Sequence, residues 1–265
     1  TQADVVILLG TRINLYTMFG GIFPPETKII HVNIDPVEIG RNRTIDVGIA
    51  GDVGIVSKQL IDRLSKKIKP EKFSGWIDEL NKQAEFSFDS VKDAMESEAV
   101  PIHPHRLMRE INEFIGNDGI VTADGGDTQT WMSMTRTAYG PAEYLESGLF
   151  GCLGVGIPFA VTAKLLNPKK RVLCVMGDGS LGFNFMEIHT AIRFGLPIVI
   201  VVSNDLGWGM IRHSQSLKFG PGKNVATELG TVEYQKMVEV LGGYGELVTE
   251  VKDIKPALQL SLIHI

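Results

Sequence analysis

Two acidic residues, Asp178 and Asp205, each follow an apolar run of the chain, and their carboxylates are of the kind that binds a divalent cation. The first comes after the run 171–175, inside the sequence Met-Gly-Asp-Gly-Ser. The second comes after the run 197–202, about one strand–helix–strand unit later, with Asn204 directly before it. Mg²⁺ prefers oxygen ligands and commonly recruits phosphate oxygens to complete its shell. The pattern therefore predicts a site that holds a divalent cation against a diphosphate.

Two glycines flank the first of these acids. Gly177 and Gly179 let the backbone turn sharply and approach a ligand closely. A helix predicted from Leu181 onward would direct its free N–H groups and the positive end of its dipole toward the same place. Ser180 is suited to cap that helix and to donate to a diphosphate. Gly-Asp-Gly alone is more often a plain turn, and the second strand end is what favours a cation site, because ligands bind at the carboxyl ends of parallel strands.

The elements that must position these residues are predicted from hydrophobic periodicity. Buried strands are predicted at 4–10, 29–34, 45–50, 119–123, 171–176, 197–203 and 245–251. Helices are predicted at 53–67, 74–95, 106–115, 151–166, 181–194, 233–241 and 254–260. Strands that alternate with helices predict the α/β class with parallel sheets.

The pattern also predicts a domain organisation. Residues 1–67 form one α/β block, the charged stretch 68–103 forms an interdomain connection with its own helix, and residues 104–265 form a second block. The chain begins at Thr1 without an initiator Met and runs almost at once into a strand, and residues 260–265 complete no element. We expect both ends to be truncated.

Composition restricts the functional classes. The 265 residues carry a net charge of −5, which argues against nucleic acid as the main partner, because phosphate neutralisation needs a basic surface. No apolar stretch is long enough to span a bilayer, so no membrane association is expected. Cys152 and Cys174 lack metal-type spacing and are predicted to be buried, reduced thiols, which fits a cytoplasmic location.

The two strand ends together carry a family resemblance. Residues 177–180, followed about two dozen residues later by 204–205, resemble the thiamine diphosphate fingerprint. Residues 182–188 and 191–197 are similar to the stretch between the metal ligands in the acetolactate synthase, oxalyl-CoA decarboxylase and 2-hydroxyacyl-CoA lyase group. The likeness covers nearly the whole chain and is most specific over 125–215. It implies two doubly wound parallel-sheet domains, a Rossmann-like middle domain and a thiamine diphosphate-binding domain.

The resemblance also implies a ligand set. Asp178 would be the first Mg²⁺ ligand, and the backbone carbonyl of Gly207 the third. Asp205 stands where the family usually has the ligating Asn, and its extra negative charge beside a diphosphate costs free energy unless Mg²⁺ offsets it. Whether Asn204 or Asp205 binds the metal is therefore open, and we favour Asp205. The residues expected to contact the diphosphate are Gly177, Gly179, Ser180 and Asn204.

The glycine-dense stretch 146–158 has two readings. By itself it predicts a helix N-terminus packed tightly on a strand. The resemblance implies that it holds the aminopyrimidine ring of the cofactor, with the Gly151 carbonyl accepting from the ring's amino group. Leu153 would be the apolar wedge that bends the cofactor, which makes its deprotonation an intramolecular step.

Two further segments are expected around the cofactor. The loop 124–131 follows a strand and is implied to touch the diphosphate through Asp127 and Thr128. Asp127 stands where acetolactate synthases usually have Gln, so Thr128 is the better donor. After the second metal strand come Trp208, Met210, Ile211 and Gln215. These four residues either pack as a surface loop or form a flexible segment that covers the cofactor.

The catalytic residue stays unassigned. In the family, an activating glutamate comes from an N-terminal domain of the neighbouring subunit, so we expect it to precede this chain and expect a homodimer or tetramer. Glu187, on the helix after Gly-Asp-Gly, is predicted to be structural. In the first block, residues 10–14 and Asp35 either form turns or bind a ribose, and the family's middle domain binds FAD or the ADP part of CoA.

The predicted function is the making or cleaving of a carbon–carbon bond next to a carbonyl, dependent on thiamine diphosphate and Mg²⁺. The leading prediction is an acetolactate synthase-like enzyme that acts on a 2-keto acid. The alternatives are a 2-hydroxyacyl-CoA lyase or an oxalyl-CoA decarboxylase. A non-catalytic nucleotide-binding module is the alternative of another class.

Overall fold

A computed structural model describes residues 2–261, apart from three side chains (Pro70, Ser87 and Phe88). The chain divides into two compact units, Thr1–Gln83 and Ala84–Ile265. Each unit contains one sheet, and the strands within both sheets pair in parallel. The prediction of the α/β class with parallel sheets is therefore confirmed.

The first sheet has the order β1-β2-β3 and the second has the order β5-β4-β6-β7. The strands are β1 (Val5–Leu9), β2 (Lys28–Asn33), β3 (Val47–Ala50), β4 (Ile120–Asp124), β5 (Tyr144–Leu145), β6 (Val172–Gly177) and β7 (Val199–Ser203). The helices are α1 (Val53–Leu64), α2 (Ser74–Met95), α3 (Pro104–Ile115), α4 (Gly126–Thr135), α5 (Gly156–Leu166), α6 (Asp178–Asn184), α7 (Glu187–Arg193), α8 (Gly209–Phe219), α9 (Tyr234–Val240) and α10 (Val251–Ser261). Short 3₁₀ turns lie at Leu15–Gly20, Pro36–Glu38, Pro70–Phe73 and Gly148–Phe150.

The centre of the second unit is the β4–β6 pair, which is buried on both faces. Successive residues of β6 alternate between two apolar clusters, with Leu173 and Val175 in one and Cys174 and Met176 in the other. This alternation is the two-residue period of a strand, and helices cover both faces, as a parallel sheet requires. The continuous apolar runs of β4 and β6 follow from this double burial.

The order of the second sheet places a crevice at its carboxyl edge. From β4 the chain first adds β5 on one side and then returns to add β6 on the other. In a doubly wound sheet the ligand crevice lies where the strand order reverses, outside the carboxyl ends of the two central strands. Asp124 ends β4 and Gly177 ends β6, so the crevice opens beside the predicted Gly-Asp-Gly turn.

Several predicted elements differ from the structure. The predicted strand 245–251 is wrong within the described residues, because its backbone pairs with no strand and Val251 already begins α10. The predicted helix 151–166 begins only at Gly156, after two glycines with positive φ. The predicted helix 181–194 is two short helices, α6 and α7. The expectation for the chain end falls mostly on residues 262–265, which lie outside the described residues.

The remaining global expectations concern membranes and thiols. Among residues 2–261, no helix is both long and apolar enough to cross a membrane. Both cysteines are free thiols; Cys174 is buried and Cys152 is half-buried. Burial raises the pKa of the Cys174 thiol to about 12, so this thiol stays protonated and unreactive.

Candidate active site

Strand register brings the predicted metal residues together. Gly177 at the end of β6 lies directly opposite Ser203 at the end of β7. Asp178 and Asp205 therefore leave neighbouring strands at nearly the same level. The Asp178 side chain is almost completely buried, and its Oδ1 accepts a hydrogen bond of 3.0 Å from the Gly179 N–H. Its Oδ2 is buried and makes no hydrogen bond with any residue in the described part of the chain.

Burial and the neighbouring Asp205 carboxylate both act on the pKa of Asp178. The pKa of Asp178 is raised to about 6, first by burial and then by the neighbouring Asp205 carboxylate. The backbone N–H groups of Gly179 and Gly207 favour the ionised form and offset only part of the rise. A buried carboxylate beside a second carboxylate is unfavourable unless a cation neutralises the pair.

This arrangement fits a hard divalent cation. Within residues 2–261, no cluster of three His, Cys, Asp or Glu side chains is placed to hold a metal ion. The chain therefore offers two carboxylates, Asp178 and Asp205, and the backbone of Gly207, which is buried beside them. Mg²⁺ is bound in this way, by one or two carboxylates, with phosphate and water oxygens in the remaining positions. The Oδ2 of Asp178, which makes no hydrogen bond with any described residue, would be the atom available to such a cation.

The hydrogen bonds of Asn204 and Asp205 bear on which of these two residues could be the second metal ligand. Asn204 Oδ1 accepts from the Leu206 N–H at 3.2 Å, so this amide oxygen is used in a local turn. Asp205 instead interacts electrostatically with Asp178. This geometry supports Asp205 as the second ligand.

The predicted diphosphate residues surround Gly177. Thr128 is buried, and its Oγ1 would lie 3.6 Å from a methyl group placed on Gly177. Ser180 is also buried, and its hydroxyl donates to the Gly177 carbonyl at 3.0 Å. The prediction that Ser180 caps the helix is wrong, because the helix begins at Asp178 and its N-cap is Gly177. Gly125 packs against Ser180 and Gly177. A methyl group on Gly125 would lie 3.2 Å from Ser180 Oγ and 3.3 Å from the Gly177 backbone nitrogen.

Gly179 is required by a close contact with an aromatic ring. A methyl group on Gly179 would lie 2.7 Å from two ring carbons of Trp208. Trp208 is held there by an edge-to-face contact with Phe183, with 6.2 Å between the ring centroids, and by a backbone hydrogen bond to the Thr227 carbonyl. The segment that follows β7 is thereby packed directly over the Gly-Asp-Gly turn.

Gly179→Ala should therefore displace Trp208 and destabilise the chain by about 1–3 kcal/mol, the usual range for overpacking a well-packed site. Chemical denaturation would measure this loss. Gly182→Ala is a matched control on the same helix, because a methyl group at Gly182 meets no atom within 4 Å. The control should be neutral or stabilising, since Ala favours a helix over Gly. Equal stabilities of the two variants would show that the Trp208 contact is not tight.

The glycine-rich segment lies beside this turn. Gly151 adopts the left-handed conformation (φ +64°), and so does Gly154 (φ +87°). Asn184 donates from Nδ2 to the Gly154 carbonyl at 2.8 Å, which ties the segment to the end of α6. Leu153 lies between the two glycines and is half-buried. The predicted pyrimidine-binding residues thus lie in one segment that is held at the crevice.

Asp124 is a site residue that sequence reasoning did not assign. Its carboxylate accepts from the Gly125 N–H at 2.6 Å and from the Gly156 N–H at 2.7 Å. Thr122 on the same strand donates to the Gly156 carbonyl at 2.9 Å. Val155, the N-cap residue of α5, makes no side-chain cap hydrogen bond. Asp124, at the end of β4, provides the cap instead. The available signal was an acid at the end of the strand that neighbours β6.

The segment after β7 forms a helix. Met210 is one of the four residues expected to cover the cofactor or pack as a loop. It packs against Gly126 at the start of α4, and a methyl group on Gly126 would lie 2.6 Å from Met210 Sδ. Gln215 hydrogen bonds to both the N–H and the carbonyl of Val225. Ile211 is half-exposed. The segment 209–219 is therefore an ordered helix, α8, packed on α4, which the sequence pattern did not indicate.

The two acids that depart from the family pattern each face a basic side chain on α8. Asp205 Oδ2 lies 3.4 Å from Arg212 Nη1, and Asp127 Oδ2 lies 2.9 Å from His213 Nδ1. Burial raises the pKa of Asp127, His213 lowers it, and Asp205 raises it. A methyl group on Gly209 would lie within 3 Å of both carboxylates. Arg212 thus places a positive charge beside Asp205, and the next residue of the same helix, His213, contacts Asp127.

The first unit uses its predicted ribose-binding residues in local structure. Asn14 Oδ1 accepts from the Tyr16 N–H at 2.9 Å and caps the 3₁₀ turn Leu15–Gly20. Asp35 Oδ1 accepts from the Val37 N–H at 3.0 Å and caps the next turn. These contacts account for the turn reading of both residues.

The fold and the site together define a class, an α/β protein whose doubly wound sheet carries a carboxylate pair at its switch point. Family comparisons agree. The model of the thiamine pyrophosphate enzyme C-terminal TPP binding domain matches residues 124–264. The model of the central domain of the same enzymes matches residues 1–60. The chain belongs to the thiamine pyrophosphate enzymes, as the motif resemblance predicted.

Curated relatives fall into two groups. A probable acetolactate synthase of Mycobacterium bovis is 32% identical over 260 residues, which are 97% of this chain and 46% of that protein. A probable acetolactate synthase large subunit of Methanococcus aeolicus is 30% identical over 98% of this chain and 45% of its own length. The human 2-hydroxyacyl-CoA lyase 2 is 32% identical over 94% of this chain and 39% of its own length. The chain thus spans less than half the length of these relatives.

Proposed function

We propose that this chain is the cofactor-holding part of a thiamine diphosphate- and Mg²⁺-dependent enzyme that makes or cleaves a carbon–carbon bond next to a carbonyl. The leading assignment is acetolactate synthase-like chemistry on a 2-keto acid. The observation that carries the proposal is the buried Asp178 carboxylate, which lies beside Asp205 at the ends of neighbouring strands. Burial first, and the Asp205 charge second, raise the pKa of Asp178 to about 6. The ionised form of such a carboxylate beside a second acid is stabilised when a cation binds.

When bound, the cofactor's thiazolium ring supplies the electron sink for the chemistry at the carbonyl. The residues of this chain position it. Asp178, Asp205 and the Gly207 carbonyl would hold Mg²⁺, with Gly177, Gly179, Ser180, Thr128 and Asn204 around the diphosphate. Gly151 and Leu153 would orient the pyrimidine ring. The low exposure of Asp178, Thr128 and Ser180 keeps water from the anchoring end.

A second candidate is 2-hydroxyacyl-CoA lyase or oxalyl-CoA decarboxylase chemistry. The observation that favours it is Asp127, paired with His213 at 2.9 Å, in place of the Gln that is usual in acetolactate synthases. The names of the relatives support acetolactate synthase chemistry and 2-hydroxyacyl-CoA lyase chemistry. FAD or the ADP part of CoA in the first unit, a homodimer or tetramer, and a 2-keto acid or 2-hydroxyacyl-CoA as substrate stay predictions.

A thiamine diphosphate titration with and without Mg²⁺ tests the proposal. Calorimetry should show that Mg²⁺ tightens binding at least about tenfold, because neutralising the carboxylate pair is worth more than about 1.4 kcal/mol. Thiamine without the diphosphate is the control and should show no such gain. A non-catalytic module would bind neither compound in a metal-dependent manner, and that result would overturn the proposal. Assays of the full-length protein that contains this chain, with pyruvate and then with a 2-hydroxyacyl-CoA, would separate the two reactions.

A further inference from the structure

The Arg212 guanidinium lies against residues that would bind the metal. Its Nη1 lies 3.4 Å from both the carboxylate Oδ2 and the backbone carbonyl of Asp205. Gly207 is packed beneath the same group, since a methyl group there would clash with Arg212 Nη2. A permanent positive charge is therefore held within contact distance of two of the three predicted Mg²⁺ ligand residues.

The same guanidinium also faces a second acid. Nη2 lies 3.4 Å from Glu228 Oε2, and Nε lies 3.3 Å from Glu228 Oε1 without forming a hydrogen bond. Charge-assisted hydrogen bonds in an optimised pair measure about 2.7–2.9 Å. Arg212 is therefore shared between Asp205 and Glu228 at distances that are long for either pair. Glu228 is mostly exposed, whereas Arg212 is mostly buried.

The backbone keeps the second acid within reach. Gly207 and Glu228 form an isolated antiparallel bridge, and the flanking residues hydrogen bond across it, from Trp208 N–H to the Thr227 carbonyl and from Leu229 N–H to the Leu206 carbonyl. Glu228 is thus fixed beside the metal segment by backbone contacts that do not involve Arg212. A change in the position of the guanidinium requires only side-chain rotation.

We propose that Arg212 is a positioning residue that sets the Mg²⁺ affinity, by occupying the Asp205 carboxylate in the absence of metal and transferring to Glu228 when the metal binds. This inference rests on the proposed Mg²⁺–diphosphate site. Because a guanidinium and a divalent cation repel each other, holding both of them close to Asp205 costs free energy. Glu228 gives the displaced charge a partner, which lowers the free energy of the metal-bound state.

The proposal predicts opposite effects for the two partners. Arg212→Gln removes the competing cation and should tighten metal binding about two- to fivefold, the range that partly exposed ion pairs allow. Glu228→Gln removes the alternative partner, so Arg212 stays on Asp205 and binding should weaken by a similar factor. In the double variant the Glu228 change should have little further effect, because the residue through which it acts is gone.

Electron paramagnetic resonance of free Mn²⁺, titrated into this chain with saturating thiamine diphosphate, measures these affinities directly. Lys218→Gln is the matched control, because it removes a positive charge from the same helix without contact to the predicted ligands. It should change the affinity less than Arg212→Gln does. Glu228 is exposed, so its variant should fold normally.

The outcomes separate the two levels of inference. Failure of the unaltered chain to bind Mn²⁺ with the cofactor would overturn the proposed function and this inference with it. Normal binding that Arg212→Gln weakens would overturn the inference alone, since Arg212 would then support the Asp205 ligand. Additive effects in the double variant would also overturn it, because Glu228 would then act through its own field. Non-additive effects with opposite signs in the single variants would support it.

Discussion

Asp178→Asn should abolish Mg²⁺-dependent uptake of thiamine diphosphate and should also make the metal-free chain more stable at pH 7. The first effect follows from loss of the predicted ligand and should exceed about a hundredfold in affinity, as loss of a first-sphere carboxylate commonly does. The second follows because the buried carboxylate is held beside Asp205 with a pKa near 6. Removing the buried charge, and with it the repulsion from Asp205, should stabilise the fold by about 1–3 kcal/mol.

The sign of the pH dependence follows from the direction of the shift. The folded pKa of Asp178, about 6, lies above its ordinary value of 3.8. The folded state therefore binds the proton more tightly, and the metal-free chain loses stability as the pH rises through this window. The stability difference between the variant and the unaltered chain should vanish below about pH 4 and be complete above about pH 7. Metal affinity should fall as the pH decreases through 6.

Thermal unfolding in EDTA at several pH values would measure these differences, and calorimetry with Mg²⁺ would measure the affinity. Asp205→Asn is the milder control variant. The Asp205 side chain is 44% exposed, and the substitution restores the residue that is usual in the family. It should reduce metal affinity far less than Asp178→Asn. A destabilised Asp178→Asn variant at pH 7 without metal would contradict the repulsion between the two carboxylates.

Asp124→Ala should have the second large effect, through the support of the glycine-rich segment. The substitution leaves the buried N–H groups of Gly125 and Gly156 without their acceptor, and hydrogen bonds to a charged group each contribute about 1.5–3 kcal/mol. We expect a loss of about 2–4 kcal/mol in the free energy of unfolding. Because α5 would lose its cap, the segment before it should also become more mobile.

Denaturant unfolding measures the stability loss, and hydrogen exchange at residues 151–156 measures the local loosening. Asp124→Asn is the control that keeps the size of the side chain and one carbonyl acceptor, so its loss should be roughly half as large. Thiamine diphosphate affinity should follow the same order in the two variants. If Asp124→Ala loosened the whole second unit uniformly, the carboxylate would be a general core group rather than the anchor of this segment.

The parts of the site that sequence reasoning identified share one property, which is that local residue type and strand period determine them. Asp178 and Asp205 could be predicted because each directly ends an apolar run, and parallel strands bring their ends to one edge. The flanking glycines were recognisable for the same local reason. The central strands β4, β6 and β7 and the helix α2 were predicted within about two residues, since their apolar patterns are long.

The parts that were missed depend on distant contacts. Asp124 caps a helix that begins 32 residues later, and no local pattern announces that partner. Helix α4 is rich in Thr, Met and Ser and lacks a clear apolar face, so periodicity did not reveal it. Helix α8 is held by contacts with Gly126 and Val225 rather than by its own pattern. The segment 245–251 had strand-like residues but no strand to pair with among the described residues.

The register of β6 against β7 limits how this protein can tolerate insertions. Gly177 lies opposite Ser203; Asp178 follows Gly177 directly, and Asp205 follows Ser203 after one residue. The connection through α7 does not set this register, although its buried Ile188 and Ala191 fix how the helix packs. A single-residue insertion within β7 would instead rotate Asp205 to the opposite side of the strand. Length variation among natural homologues should therefore be purged from residues 199–205.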